Sequence, residues 1–273
     1  MAGSRSRSSV LHRRILSGAV FGLLTLSAVY LGGALFFSAV LAVAILGGRE
    51  YQRMIVGSGY RAFYSLQLGL TIFFLLGTVY LSPEAILGGL TLILISSLAW
   101  QVGRRHERGQ PFFDWALSVG GALYVGWLSS HFLMLRRLPG GMGWTLLALF
   151  PTWACDSLAY VFGKAWGKHS FFPQISPRKT WEGTLAGWVG GTGTSLLIGL
   201  VLGLSIFQAL TLGLAISLAA TFGDLVESMI KRQVGVKDSG SLVPGHGGIL
   251  DRVDSLLFGV VVVYYLLIWV VGV

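Results

Sequence analysis

Charged side chains are scarce in this sequence. Asp, Glu, Lys and Arg make up only 11% of the 273 residues, whereas hydrophobic residues make up 54%. Soluble domains carry about 25% charged residues, and their composition does not reach the mean hydropathy of +0.73 found in this chain. The composition therefore excludes an ordinary soluble protein and predicts an integral membrane protein.

Cysteine is nearly absent, and histidine is sparse. The single Cys155 excludes an intramolecular disulfide, and we expect it to be a packing residue. The net charge of +9 does not indicate nucleic acid, because the basic residues are not interleaved with aromatic ones. We expect no nucleic-acid partner and place the basic loops beside anionic lipid headgroups.

Long apolar runs fill most of the chain. A helix needs about 20 residues to cross a bilayer, and we count nine runs near that length. They are residues 15–31, 33–48, 62–81, 83–101, 114–134, 143–163, 183–204, 206–229 and 255–273. These runs predict an all-α polytopic membrane protein with about nine transmembrane helices. The first should be a retained helix, because no small-residue cleavage site follows it.

The basic residues predict the orientation. If the N-terminus is cytoplasmic, every Lys and Arg except Arg136 and Arg137 falls in a cytoplasmic segment. Positively charged loops tend to stay in the cytoplasm. We therefore predict a cytoplasmic N-terminus and a C-terminus on the outside.

The two parts of the chain differ in polar content. Residues 1–110 read as hydrophobic scaffold helices, and residues 111–273 as helices with a catalytic cavity and cytoplasmic loops, because carboxylates enter the apolar runs from about residue 150. The seventh run has a small residue at every fourth position, which predicts close helix packing, either internal or at a dimer interface. These residues are Gly183, Gly187, Gly191, Ser195, Gly199 and Gly203.

Three carboxylates lie within apolar runs, where charge is costly and usually functional. Asp156 lies in the sixth run, and Asp224 and Glu227 lie in the eighth. Asp224, Glu227, Ser228 and Lys231 have the spacing that places them on one helix face. The alternative is that Glu227 and Lys231 form an internal ion pair that only fixes helix packing.

The loop after the eighth run, "SMIKRQVGVKDSGSLVPGHGGILDRVDS" (residues 228–255), gathers much of the charge. Its glycines allow positive φ, so that consecutive N–H groups could line an anion site. Asp251 and Asp254 then open the ninth helix, where one of them could serve only as a cap. Oxygen donors without clustered Cys or His suit Mg²⁺ rather than zinc. With the nearby Lys and Arg residues they indicate phosphoryl or nucleotidyl transfer, in which His246 would donate to a phosphate oxygen.

A second charged loop, "ISPRKTWEG" (residues 175–183), precedes the seventh run. Arg178 and Lys179 supply positive charge, and Thr180 can cap the helix that contains Glu182. On composition the loop is either a substrate contact or a basic segment that faces the membrane.

The segment from Ser228 to Asp254 resembles the signature of the CTP:phosphatidate cytidylyltransferases, also called CDP-diacylglycerol synthases. The matching pattern is S-x-I-K-R-x4-K-D-x-G-x2-V-P-x-H-G-G-I-x-D-R-V-D, with Val243 where a larger aliphatic residue or Phe is usual. Two further blocks, "DSLAYVFGKAWGKH" from Asp156 and "ISPRKTWEGT" from Ile175, resemble the bacterial branch, with Arg178 where Lys is common. The motifs cover about residues 150–255.

The resemblance implies that CTP and phosphatidic acid react to give CDP-diacylglycerol and pyrophosphate. It implies a homodimer in the bacterial cytoplasmic membrane, with its site facing the cytoplasm. It also implies Mg²⁺, with a second, monovalent cation such as K⁺ as an option, bound by Asp224 and Asp251. The catalytic residues expected from it are Asp224, Lys231, Arg232, Lys237, Asp238 and Asp251. The expected substrate-binding residues are Asp156, Ser176, Arg178, Lys179, Ser228, His246, Gly247, Gly248, Arg252 and Asp254.

Other functions fit some of the same features. A CTP-dependent lipid kinase acting on a polyprenol-type alcohol would need a general base, and Asp238 or Glu227 could serve. A CDP-alcohol phosphotransferase is disfavoured because its Asp-x2-Asp-Gly motif is absent. An anion transporter is disfavoured because the sequence shows no inverted repeat with interrupted helices.

Overall fold

The computed structural model describes residues 18–103, 110–240, 242 and 247–272. Within them lie nine continuous helical stretches. They comprise α1 (Gly18–Leu31), α2 (Gly33–Gly57), α3 (Tyr64–Tyr80), α4 (Pro83–Gly103), α5 (Pro111–Gly121), α6 (Leu128–Arg137), α7 (Gly141–Trp166), α8 (Trp181–Val201), α9 (Ile206–Gln233) and α10 (Leu250–Leu266). Helix α5 continues into α6 through a π-helical turn, Ala122–Trp127, and α10 ends in another, Leu267–Val271.

Six of these helices, α2, α4, α7, α8, α9 and α10, are long and apolar enough to cross a membrane. Helices α1 and α3 are apolar but shorter. The prediction of a helical, polytopic membrane protein is confirmed at this level, and the number of crossings stays a prediction.

Helix α2 extends beyond its predicted end, from residue 48 to Gly57. The apolar run stops at Arg49 and Glu50, but a helix is held by backbone hydrogen bonds and does not need apolar side chains on every face. Tyr51, Met54 and Ile55 continue the buried face, and Glu50 is buried with them. Hydropathy alone therefore misplaced this boundary.

A short hairpin interrupts the all-α pattern between α7 and α8. Strands β1 (Ser170–Phe172) and β2 (Ser176–Thr180) pair antiparallel, with Ser170 opposite Thr180 and Phe172 opposite Ser176. Thr180 then caps α8, as its sequence position predicted, because its hydroxyl accepts a hydrogen bond from the Gly183 amide at 3.2 Å.

The chain forms two compact units. One comprises Met1–Ser130 with Val234–Arg252, and the other His131–Gln233 with Val253–Val273. In the described part of the first unit, Leu70, Phe74, Val119 and Ala122 form an apolar core. In the second, a larger core includes buried residues of α6, α7, α9 and α10. The division predicted at residue 110 separates scaffold helices from helices with a catalytic role, whereas the two units are separated by how the chain packs. That division of roles stays a prediction.

The small residues of α8 are used within the second unit. A Cβ atom at Gly183, Gly187 or Gly191 would lie 2.6–3.0 Å from a backbone carbonyl oxygen of α7. On the α9 side, the Ser195 hydroxyl donates to the Ala209 carbonyl at 3.0 Å. The stripe therefore serves an internal helix contact, which was one of the two predicted uses. Gly203 lies past the end of α8 in open space.

Candidate active site

Three aspartates from three helices of the second unit lie close to one another. Asp156 is on α7, Asp224 on α9 and Asp254 on α10. The negative charges of Asp254 and Asp224 act on Asp156, and that of Asp224 acts on Asp254. Asp156 is exposed and Asp254 is buried, so the cluster extends from an accessible edge into the protein.

Backbone contact between α9 and α10 brings these side chains together. A Cβ atom at Gly223 would lie 2.5 Å from the Asp254 carbonyl oxygen and 3.1 Å from the Ser255 Cα. Only glycine permits this approach, and Asp224 follows directly. Ser255 donates its amide to Asp254 Oδ1 at 2.7 Å and its hydroxyl to Asp156 Oδ1 at 3.4 Å.

The hairpin supplies a cation to this cluster. Lys179 Nζ of β2 lies 2.8 Å from Asp224 Oδ2 and 3.3 Å from the Thr221 carbonyl oxygen. The Trp188 indole of α8 donates to the Thr221 hydroxyl at 3.0 Å. The charged loop of residues 175–183 therefore contacts the carboxylate cluster through Lys179.

A second lysine, Lys231, lies about two turns beyond Asp224 on α9. Lys231 Nζ is 2.7 Å from Glu227 Oε2, and the Glu227 side chain is only 1% exposed. The ion pair anticipated as an alternative is therefore present. It is not isolated, because the carboxyls of Glu227 and Asp254 are within hydrogen-bond reach of each other. Ser228 donates to Asp224 Oδ1 at 3.3 Å, so the predicted polar face of α9 exists.

The signature loop of the first unit closes around Asp251. Asp251 Oδ2 accepts hydrogen bonds from the Ser239 amide at 3.1 Å, the Ser239 hydroxyl at 2.8 Å and the Gly248 amide at 2.7 Å. Gly247 has φ +85°, and a Cβ atom there would lie 2.6 Å from the same oxygen. This carboxylate therefore organises the loop that precedes α10.

Sequence reasoning missed Glu50 of α2. Its Oε1 accepts from the Ile249 amide at 3.0 Å, and its Oε2 accepts from the Leu250 amide at 2.8 Å and the Ser239 hydroxyl at 3.3 Å. The side chain is 1% exposed. The sequence signal was a carboxylate just beyond an apolar run, in a chain with only 11 acidic residues.

Amides at the end of the signature loop donate to carboxylates of the protein itself. Those of residues 248, 249 and 250 donate to Asp251 and Glu50, and the anion site predicted for the loop glycines stays a prediction. A Cβ atom at Gly248 would overlap the Glu50 carboxylate and the Ser239 hydroxyl. This explains why a glycine occupies that position.

The other predicted residues are more accessible. Arg178, Arg232, Lys237, Asp238 and Arg252 are exposed, and Ser176 is half-buried. The Arg232 Nε donates to the Ile175 carbonyl oxygen at 3.4 Å, which holds this side chain beside the hairpin. His246 lies outside the described residues. Asp224 and Asp251 belong to different units, and their common metal stays a prediction.

The chemistry of the aspartate cluster suits a divalent cation. Asp156, Asp224 and Asp254 offer only hard oxygen donors, and their mutual repulsion would be relieved by a bound cation. Within the described ranges, no three His, Cys, Asp or Glu side chains form a complete metal-binding group. Mg²⁺ sites usually use one or two carboxylates together with substrate phosphates and water, so the donor set fits Mg²⁺.

Comparison with known proteins gives a consistent result. Residues 12–270 match the model of the cytidylyltransferase family. The chain is 34% identical to a phosphatidate cytidylyltransferase of Synechocystis, over 94% of this chain and 96% of that protein. It is also 34% identical to the chloroplastic phosphatidate cytidylyltransferase 4 of Arabidopsis thaliana, over 93% of this chain and 72% of that protein. A Staphylococcus haemolyticus phosphatidate cytidylyltransferase is 40% identical over 54% of this chain and 56% of its own length.

Proposed function

Because this chain belongs to the cytidylyltransferase family, we propose how its residues carry out the family's transfer reaction. The chain catalyses phosphatidate cytidylyl transfer, in which CTP and phosphatidate give CDP-diacylglycerol and pyrophosphate. A phosphatidate oxygen forms a bond to the α-phosphorus of CTP, and the bond from that phosphorus to the β-phosphate bridging oxygen breaks. Phosphatidate is already an anion, so the reaction does not require a strong base.

The proposal rests on three carboxylates that three helices bring together, those of Asp156, Asp224 and Asp254. Lys179 of β2 forms an ion pair with Asp224 of α9. The main obstacle to the reaction is repulsion between two polyanions, so the site must supply ordered positive charge. Asp224 and Asp251 are the proposed Mg²⁺ ligands, and Asp254 and Asp156 lie beside Asp224. Bound Mg²⁺ would neutralise phosphate charge and stabilise the leaving pyrophosphate.

The protein cations have distinct proposed roles. Lys179 and Lys231 are held by Asp224 and Glu227, so each ammonium is oriented before substrate binds. The exposed Arg178, Lys237 and Arg252 are proposed to follow the phosphates of CTP and phosphatidate, and Arg232 joins them from its position beside the hairpin. Bidentate guanidinium contacts suit phosphate oxygens. Asp238, Ser176, Ser228 and His246 stay proposed substrate contacts on the strength of the sequence signature.

The location of the substrates supports the proposed topology. Phosphatidate lies in the membrane and CTP in the aqueous phase, so the site should open where helix ends meet water. The basic loops place that opening on the cytoplasmic side, with nine crossings and a cytoplasmic N-terminus. A bacterial inner-membrane location, a homodimer and a second, monovalent cation such as K⁺ complete the proposal.

Labelled CTP tests the reaction. Purified enzyme with phosphatidate and Mg²⁺ receives CTP labelled at the α-phosphate or at the γ-phosphate, and the lipid is extracted. Label from the α-phosphate should enter the lipid, and γ-label should leave as pyrophosphate. Entry of γ-label into lipid would instead mean kinase chemistry and would contradict the proposal.

A further inference from the structure

A cavity of about 570 Å³ lies in the first unit, between the C-terminal part of α2 and the start of α3. Its lining residues are Arg49, Gln52, Arg53, Val56, Gly57 and Tyr64. None of them belongs to the predicted catalytic or substrate-binding set. The cavity is therefore separate from the predicted catalytic site.

The two arginines have no charged partner among the residues that the structure describes. Arg49 and Arg53 are spaced i, i+4, so they lie one turn apart on the same face of α2. Both are exposed, and within the described part of the chain neither makes an ion pair or hydrogen bond. The adjacent acid, Glu50, is engaged by the amides of Ile249 and Leu250. Two neighbouring guanidiniums form a strong binding group for a phosphate.

Gln52 fixes one wall of the cavity. Its side chain is 7% exposed, and its Nε2 donates to the Ala62 carbonyl oxygen. This hydrogen bond holds the part of α2 that carries Arg49 and Arg53 against the segment that precedes α3.

The position of the cavity indicates a lipid. It lies at one end of α2, a membrane-length apolar helix, and beside α3, another apolar helix. Val56, which lines it, leaves 48% of its surface exposed, so that an acyl chain could continue along this side. Basic pockets between membrane helices bind anionic lipid headgroups.

We propose that this cavity binds the phosphate of an anionic glycerophospholipid, at a site additional to the reacting phosphatidate. The guanidiniums of Arg49 and Arg53 bind the phosphate. Choline and ethanolamine headgroups carry a positive charge that the two arginines would repel, so zwitterionic lipids should bind more weakly than phosphatidylglycerol.

Native mass spectrometry of the detergent-solubilised full chain can test the site, without CTP and independently of turnover. The probes are phosphatidylglycerol, phosphatidylmethanol, phosphatidylcholine and free glycerol phosphate. Phosphatidylglycerol and phosphatidylmethanol should bind alike, because both present one anionic phosphate, and both should bind more tightly than phosphatidylcholine by about tenfold or more. Equal binding of phosphatidylcholine, or equal binding of free glycerol phosphate, would overturn the proposal.

Variants assign the binding to these side chains. The double variant R49Q/R53Q should lose about tenfold or more in phosphatidylglycerol affinity. R136Q/R137Q removes the same charge at another helix end and should bind like wild type. Unchanged binding by R49Q/R53Q, or equal loss in R136Q/R137Q, would overturn the assignment. Because the readout is bound lipid mass, failure here would leave the label-transfer result unaffected.

Discussion

The Glu50 carboxylate accepts a hydrogen bond from the Leu250 amide at 2.8 Å, although 200 residues separate them in the chain. Leu250 is the first residue of α10, and the first amides of a helix have no partner within the helix. Glu50 therefore caps α10 from α2 and attaches the signature loop to the N-terminal helices. Part of the predicted scaffold thus positions residues of the signature.

Substitution E50Q should disturb the signature loop. Gln offers one acceptor oxygen where the carboxylate offers two, and its NH₂ group would face an amide donor. We expect a loss of about 1.5–3 kcal/mol in the free energy of unfolding, the range for hydrogen bonds to charged groups, and a clear fall in kcat. Amide hydrogen exchange at residues 247–250 should also accelerate. E84Q, an exposed acid at the start of α4, is the matched control. Wild-type exchange and turnover in E50Q would contradict this role.

Substitution G248A should be severe. The added methyl group would overlap the Glu50 carboxylate and the Ser239 hydroxyl, so the loop must move. We expect turnover to be lost and the thermal midpoint to fall. G193A is the control, because no atom lies within 4 Å of a Cβ built there. Alanine is the better helix former by about 1 kcal/mol, so G193A should be neutral or stabilising. Equal behaviour of the two variants would contradict the proposed close packing.

Substitution K179M should separate catalysis from stability. Lys179 and Asp224 are 22% and 34% exposed, and ion pairs that contact solvent contribute about 0–1 kcal/mol. Stability should therefore change little, whereas kcat should fall by about tenfold or more, as for loss of a charge that stabilises a transition state. K179R should recover part of the rate, and K164M, which alters an exposed lysine over the Tyr160 ring, should not reduce it. Full activity in K179M would exclude Lys179 from the site.

The Glu227–Lys231 pair can be tested by removing one partner or both. E227Q leaves a buried lysine without its partner and should cost about 3–5 kcal/mol, whereas E227M/K231M should recover much of that loss. We expect the double variant to stay inactive, because Lys231 is proposed to contact phosphate. Chemical denaturation and turnover assays give the two quantities. Wild-type turnover in the double variant would mean that the pair serves packing alone.

Much of the architecture follows from hydropathy and spacing. The apolar runs correspond to the nine helical stretches of the described residues, and small residues at every fourth position of α8 predicted its close contacts. The shared face of α9 also followed from spacing, because Asp224, Glu227, Ser228 and Lys231 recur with the helix period.

Contacts between distant segments were not predictable in the same way. Nothing in the local pattern around Glu50 indicates that it accepts from Ile249 and Leu250, since that requires the tertiary fold. The β1–β2 hairpin was missed because β1 has only three residues and the five of β2, SPRKT, do not alternate between apolar and polar side chains. That the loop amides bind a phosphate stays a prediction, and the sequence could not identify Glu50 and Asp251 as carboxylates that accept from them.

Metal rescue at Asp224 tests the central claim most directly, namely that this carboxylate binds the ion used in cytidylyl transfer. D224C should be inactive with Mg²⁺, because a thiolate is a poor ligand for a hard cation, and should regain turnover with the softer Cd²⁺. D224N, which lacks the thiolate, should stay inactive with either metal, and the wild type should work with Mg²⁺. Wild-type activity of D224C with Mg²⁺, or the same response of D224C and D224N to Cd²⁺, would contradict the account.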